Sequence, residues 1–199
     1  MRHVIYSSIS AIALLFLLPF FLVISALIIL SYGKPVLFKQ KRTGKNGKSF
    51  TFYKFRTMTN EVNEKGELLE DGKRITLLGK FLRASSIDEL PSLFNVMLGQ
   101  MSLVGPRPLL LEYLNKYDEF QKRRLEVKPG ITGWSQINGR NKLSWEDKFK
   151  LDVWYVDNES FFLDIKILLI TLIKVLGFVG INQDGHATMN KFRGNEDNE

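Results

Sequence analysis

The 199-residue chain suits one domain of ordinary size plus an appendage. Its 28 Lys and Arg exceed its 21 Asp and Glu, and the net charge of +7 points to an anionic partner: nucleic acid, phosphate or an acidic membrane surface. Cysteine is absent and the two histidines, His3 and His186, lie near opposite ends, which excludes disulfides and thiolate chemistry and argues against a histidine triad or a zinc site.

Residues 4–32 carry no Lys, Arg, Asp or Glu, a run long enough to span a bilayer, which takes about 20 apolar residues. A signal peptide has a shorter apolar core, roughly 7 to 15 residues, so this segment is expected to stay. Pro19, near the middle, removes a backbone hydrogen bond and predicts a kink. On the residues alone a crossing helix and a re-entrant one both stand, the crossing one ranked first. Lys34, Lys39, Lys41, Arg42, Lys45, Lys48, Lys54 and Arg56 follow without an acidic residue. That positive flank predicts a cytoplasmic remainder and attraction to anionic headgroups.

The segment FTFYKFR alternates as a strand with Phe52, Lys54 and Arg56 on one face and Tyr53 and Phe55 on the other. Its aromatic and basic interleaving suits single-stranded nucleic acid, but a half-buried strand with a solvated basic face is the commoner explanation. Residues 60–74, polar and containing Gly66 and Gly72, read as a surface loop or hairpin.

In SSIDELPSLFN, Ser86 precedes Glu89 by three residues, the spacing of a capping box. Leu90, Leu93, Phe94, Met97 and Leu98 recur at helical spacing, which predicts a helix that buries this stripe and ends near Gly99. Pro91 is tolerable only in a first turn, so the helix starts at or just before Asp88. Asp88 and Glu89 then sit at the positive end of a helix dipole, which favours their ionised form and makes Asp88 a usable nucleophile or metal ligand. Lys80 and Arg83 lie just upstream, and Pro106 and Pro108 hold Arg107 between them downstream. Singly, these are a cap, a rigid turn and solvated cations. Together they describe two carboxylates, a Mg²⁺ ion and several cations around a diphosphate.

In residues 161–176, Asp164, Lys166, Thr171 and Lys174 fall on one half of a helical wheel, and Ile165, Leu168, Leu169, Leu172 and Leu176 on the other. Such a helix lies in a membrane interface or packs in the core, and both readings stand. Residues 34–199 thus read as a cytoplasmic α+β domain, mostly helical with a small β element, behind a membrane-inserted helix over residues 1–33.

The blocks SSIDELPSLFNVMLGQMSLVGPRP, VKPGITGWSQINGRN and LDVWYVDNESFFLDIKIL closely resemble those of the small bacterial monotopic phosphoglycosyl transferases, the bacterial sugar transferase family. The resemblance begins at VLFKQKRTG and YKFRTM and runs to GHATMNKFRG, nearly the whole chain. It implies transfer of a phosphosugar from a UDP-sugar to undecaprenyl phosphate, with release of UMP, at the cytoplasmic face of a bacterial inner membrane. No nucleic-acid partner is expected. By the same resemblance Asp88 is the nucleophile of a covalent aspartyl phosphosugar intermediate, and Glu89 assists Mg²⁺ binding or proton handling beside it. Lys54, Arg83 and Arg107 become the phosphate contacts, and Gln136, Asn138 and Arg140 part of the nucleotide or sugar pocket, with a glycine-rich turn as the alternative. Asp152 orients one of the cations or belongs to an amphipathic surface. The tail block suggests an acetamido sugar.

The anchor departs from the family pattern. Arg2, His3 and Tyr6 stand where a Lys-Arg-x-x-Asp sequence is common, and Leu18 stands where Ser commonly precedes the proline, which removes a hydroxyl that could stabilise the kink. The retained Pro19 moves the expectation to a re-entrant helix with interfacial helices beside it. Two other classes compete: the same reaction through a ternary complex without a covalent intermediate, and a membrane-tethered anion-binding module.

Overall fold

Arg2–Tyr32 form one helix, α1, in a computed structural model that describes residues 2–139, 143–177 and 191–194. At 1.5 Å per residue it is about 46 Å long, more than the roughly 30 Å of a hydrocarbon core. Only 11% of its most apolar stretch is buried, so this helix is a candidate membrane segment rather than a core helix. Both of its ends are nevertheless fixed to the globular part. Near the start, the Tyr6 hydroxyl donates to Asp164 (2.7 Å) and the Ser7 hydroxyl to the Val96 carbonyl (3.0 Å). Near the end, Ile24 and Ile28 are buried against Phe55 and Leu82.

The chain continues into an antiparallel hairpin, β1 (Leu37–Thr43) and β2 (Ser49–Phe55), in which Leu37 faces Phe55 and Thr43 faces Ser49. Asn46 and Gly47, both at positive φ, make the turn. The polar stretch 60–74 is a largely exposed loop, as expected, in which Val62 bridges Leu68 and α2 (Asp71–Arg74) adds one turn. Helix α3 (Leu77–Ala84) starts at Thr76, whose hydroxyl accepts from the Gly79 amide (2.9 Å). A Cβ on Gly79 would lie 1.9 Å from the Thr57 carbonyl oxygen, so only glycine lets α3 approach the end of β2 this closely.

A 3₁₀ segment, Ile87–Ser92, leads into the short helix α4 (Leu93–Met97), which stops before Gly99 at φ 71°. Strand β3 (Ser102–Val104) pairs in parallel with β4 (Gly130–Thr132), and α5 (Glu119–Lys122) lies in the connection. Three helices close the fold: α6 (Trp134–Asn138), α7 (Trp145–Asn158) and α8 (Phe161–Leu176). Phe192 packs edge-on to Phe149 of α7, ring centroids 5.1 Å apart. The expected α+β class, mostly helical with small two-stranded β elements among the described residues, is what the chain adopts.

Two expectations about burial are corrected. Along Ile87–Met97 the buried residues are Asp88, Pro91, Ser92, Asn95 and Val96, whereas Phe94 and Leu98 of the apolar stripe are 41% and 51% exposed. The polar groups point inward because they have partners there: Asn95 donates to the Thr51 carbonyl (2.7 Å) and accepts from the Tyr53 amide (3.3 Å). The basic face of β2 is not solvated, since Phe52 and Arg56 are buried. The Arg56 guanidinium donates to the carbonyls of Tyr32 and Gly33 and so caps α1 with a charge of the favourable sign. Helix α8 packs in the core along one side, through Asp164 and Ile167 with Leu163, Leu168 and Ile170 beside them, and exposes the other. Asp164 is buried, Thr171 bonds Thr132 (2.7 Å) and Lys174 donates to the Ile137 carbonyl, while Leu169, Leu172, Ile173 and Leu176 face outward.

Asp164 joins three elements. It accepts from Tyr6 of α1 and Tyr155 of α7 (2.6 Å), and Arg2 approaches it to 3.5 Å while also pairing with Glu159 (2.5 Å). Asp164→Ala takes this acceptor from two buried hydroxyls and removes one of the two carboxylates beside Arg2. We expect a loss of about 3–5 kcal/mol, measured as a lower unfolding midpoint in detergent.

Candidate active site

The backbone places Asp88 in an unusual way. Ser86 adopts φ 57°, in the left-handed region that a residue with a Cβ enters at a cost, and its side chain caps nothing. The capping-box reading is therefore overturned. The Glu89 carboxylate, free of any capping role, receives both Nη atoms of Arg107 in a fork, one of them at 3.2 Å. The dipole of a six-residue 3₁₀ segment is a minor influence beside these contacts.

Burial and neighbours then separate the two carboxyls. Asp88 is 5% exposed, and burial, followed by repulsion from Glu89, raises its pKa from 3.8 to about 6 against the pull of Lys54, Arg83 and Arg107. That reverses the expectation that its position favours ionisation, although at neutral pH it is still mostly a carboxylate. Burial pushes Glu89 upward too, but the charge and hydrogen bonds of Arg107, with Lys54 and Arg42, outweigh it and hold Glu89 below the usual range. Lys54 is lowered by burial, opposed by Asp88 and Glu89. Arg83, anchored by its Nε to the Thr57 hydroxyl (3.0 Å), is lowered by burial and drawn back by Asp88.

Lys54, Arg83, Arg107, Asp88 and Glu89 are thus brought into one cluster from β2, α3, the 3₁₀ segment and the loop after β3. A shallow groove beside it is lined by Thr43, Gly44, Pro106, Arg107, Pro108 and Arg124. Asp152 lies behind the cluster. It is 1% exposed and accepts from Arg124 (2.8 and 3.1 Å) and from the Ser135 hydroxyl (2.7 Å). Arg124 in turn donates to the Arg107 carbonyl (2.7 Å), so Asp152 reaches the cluster only through that cation. The other predicted pocket residues bond locally: Gln136 donates to the Ile131 carbonyl and exposed Asn138 to the Trp134 carbonyl, both at 2.8 Å. Arg140 lies outside the described residues, as does most of the tail block.

Arg42 and Arg124 belong to the site and were not singled out from the sequence. The chemical capacity is plain. A buried carboxylate with a raised pKa beside a neutralised one, among several fixed cations, can hold a phosphorylated ligand and attack a phosphorus atom.

A carboxyl whose pKa rises on folding stabilises the fold when protonated. That contribution is full below about pH 4 and is lost as pH climbs through about 6. In metal-free protein, Asp88→Asn is expected to be more stable than the wild type at pH 7.5 by on the order of 2 kcal/mol and equal to it at pH 4, compared by unfolding midpoints. A gap of the same size at both pH values contradicts the shift.

The sequence profile described as bacterial sugar transferase matches residues 1–178. An uncharacterized sugar transferase, EpsL, of Bacillus subtilis is 61% identical over 172 residues, covering 86% of this chain and 85% of that protein. The galactosyl transferase CpsE of Streptococcus agalactiae is 48% identical over 72% of this chain. A UDP-glucose:undecaprenyl-phosphate glucose-1-phosphate transferase of Xanthomonas campestris is 38% identical over 84% of it. The chain spans only 35% and 37% of the length of these last two proteins.

Proposed function

The chain belongs to the bacterial sugar transferase family, and from that premise we propose that it is an enzyme moving a phosphosugar from a UDP-sugar to undecaprenyl phosphate, with release of UMP. Three relatives are named as transferases of glucose or galactose phosphate to undecaprenyl phosphate, which supports the reaction class. The observation that carries the reading is Asp88, buried beside an Arg107-neutralised Glu89 and within the fields of Lys54 and Arg83.

In the first step an Asp88 carboxylate oxygen attacks the sugar-bearing phosphorus. The bond to the bridging oxygen breaks, and UMP departs with that oxygen and its electron pair. In the second step a lipid phosphate oxygen attacks the same phosphorus, releasing Asp88 and forming the lipid diphosphosugar. The order is ping-pong. Lys54, Arg83 and Arg107 hold the phosphates in line, and Glu89 fixes the Arg107 fork. Asp152, through Arg124, keeps the Arg107 backbone in place.

Mg²⁺ fits this donor set. No third acidic or histidine ligand joins Asp88 and Glu89 among the described residues, and Mg²⁺ is usually held by one or two carboxylates together with substrate phosphates and water. Bound there by Asp88 and Glu89, it would offset the negative charge that otherwise keeps carboxylate and diphosphate apart.

The placement at the membrane follows from the same body. Exposed Phe94 and Leu98, the outer side of α8 and the middle of α1 offer apolar surface. With both ends of α1 tied to one body, a re-entrant anchor bent at Pro19 accounts for the contacts, since a helix crossing the bilayer would carry one end away. The basic flank supports the cytoplasmic face of the inner membrane as the side on which the catalytic part works.

For the sugar, the tail block speaks for an acetamido group and the named relatives for glucose and galactose. A panel of UDP-sugars with undecaprenyl phosphate and Mg²⁺, read as UMP release, separates them. We expect one sugar to be turned over at least tenfold faster than the rest, turnover to vanish with EDTA, and Asp88→Asn to lower it by about 10³ or more. No UMP from any sugar would refute the transferase reading.

A further inference from the structure

Arg42 has no role in the scheme above, yet it is built into the same face. Pairing of Phe38 with Lys54, Gln40 with Phe52 and Arg42 with Phe50 puts Arg42 and Lys54 on one side of the hairpin. They stand at opposite ends, separated by four residues or about 13 Å along the strand. One Nη of Arg42 donates to the Pro108 carbonyl (3.3 Å), next to Arg107, and the other to the Gln40 side chain (2.7 Å). Its Nε is buried and has no hydrogen-bond partner.

The electrostatic neighbours give the site a direction. Asp88 feels Lys54 and Arg83 more than Arg107, whereas Arg42 feels chiefly Arg107 and then Glu89. Burial and the like charge of Arg107 push Arg42 down to about 10, and Glu89, the carboxylate that draws it back, is already forked by Arg107. Arg42, Lys54, Arg83 and Arg107 face Asp88 and Glu89, a surplus of two positive charges. Asp71 also reaches Arg83, but it is paired with Arg74 (2.5 Å), so including that pair leaves the surplus unchanged. A surplus of this kind on partly buried groups calls for an anion of matching charge.

Resting on the transferase reading, we infer that Arg42 binds the nucleotide-side phosphate of the diphosphate, on the far side of Arg107 from Asp88. The sugar-bearing phosphate then lies at the Lys54, Arg83 and Asp88 end. When the bridging bond breaks, the electron pair stays on the oxygen retained by UMP, whose phosphate goes from one negative charge to two. Arg42 and Arg107 stand where that charge develops, and the free Nε–H of Arg42 is a donor for it.

The test measures UMP binding by calorimetry to the full chain in detergent, for wild type, Arg42→Gln and Arg42→Lys, with unfolding midpoints taken without ligand. Arg42→Gln is expected to weaken UMP by about tenfold or more, Arg42→Lys to recover much of the loss, and the ligand-free midpoint to stay level or rise. UMP affinity in Arg42→Gln within twofold of wild type overturns the assignment alone. Loss of UMP binding that Arg42→Lys does not restore, with a lowered midpoint, makes Arg42 a clamp on the Pro108 segment and also overturns it. A wild type that binds no UMP overturns this assignment and the transferase reading together.

Discussion

The fork between Arg107 and Glu89 divides the labour of two adjacent carboxylates. Two acids side by side in a half-dry setting repel each other, and without a dedicated partner for one of them neither would have a defined state. Arg107 takes Glu89, and Asp88 is left as the carboxylate with a raised pKa and a reactive position. Much of the surrounding structure serves that fork. Pro106 and Pro108 limit the backbone on either side of Arg107, and Arg124 holds its carbonyl. Asp152 and Ser135 neutralise and orient Arg124 in turn. A buried pair such as Arg124–Asp152 adds little net stability, but losing one partner is costly, so the arrangement is strict rather than strong.

The proposed reaction brings a second constraint: a lipid phosphate and a water-soluble nucleotide sugar would have to meet in one cluster, which suits a protein with polar groups held inside and apolar groups offered outside. Helices α4 and α8 bury polar groups beside Val96 and Ile167 and expose apolar residues on their other sides. Asn95, Thr171 and Lys174 find partners within, and Phe94, Leu169 and Leu176 lie on the outside. The two ends of α1 are held by different chemistry: hydroxyls and Asp164 at the start, packing and the Arg56 cap at the end.

Sequence alone reveals periodicity but not its sign. The stripe Leu90, Leu93, Phe94, Met97 and Leu98 has true helical spacing, yet Phe94 and Leu98 are exposed while Asn95 is buried, and nothing in the spacing says so. The capping box failed for a related reason: Ser86 and Glu89 have the right residue types, but a distant arginine competes for the carboxylate. Lys54, Arg83 and Arg107 were legible through the family blocks, and the fold brings them to Asp88. Gln136 and Asn138 share a block with one another but bond nearby backbone, Gln136 the Ile131 carbonyl of β4 and Asn138 the Trp134 carbonyl of its own helix. Arg42 was hidden among eight cations of one basic run. Only the hairpin register separates it from its neighbours Lys39 and Lys41, which face the other way.

The account stands or falls on Asp88 carrying the phosphosugar as a covalent load. Intact-protein mass spectrometry after incubation with the accepted UDP-sugar, Mg²⁺ and no lipid measures this directly. The account predicts a mass increase of one phosphosugar, located on the peptide containing Asp88 and removed when undecaprenyl phosphate is added. A protein that stays unmodified yet turns over fully once lipid is supplied would contradict it.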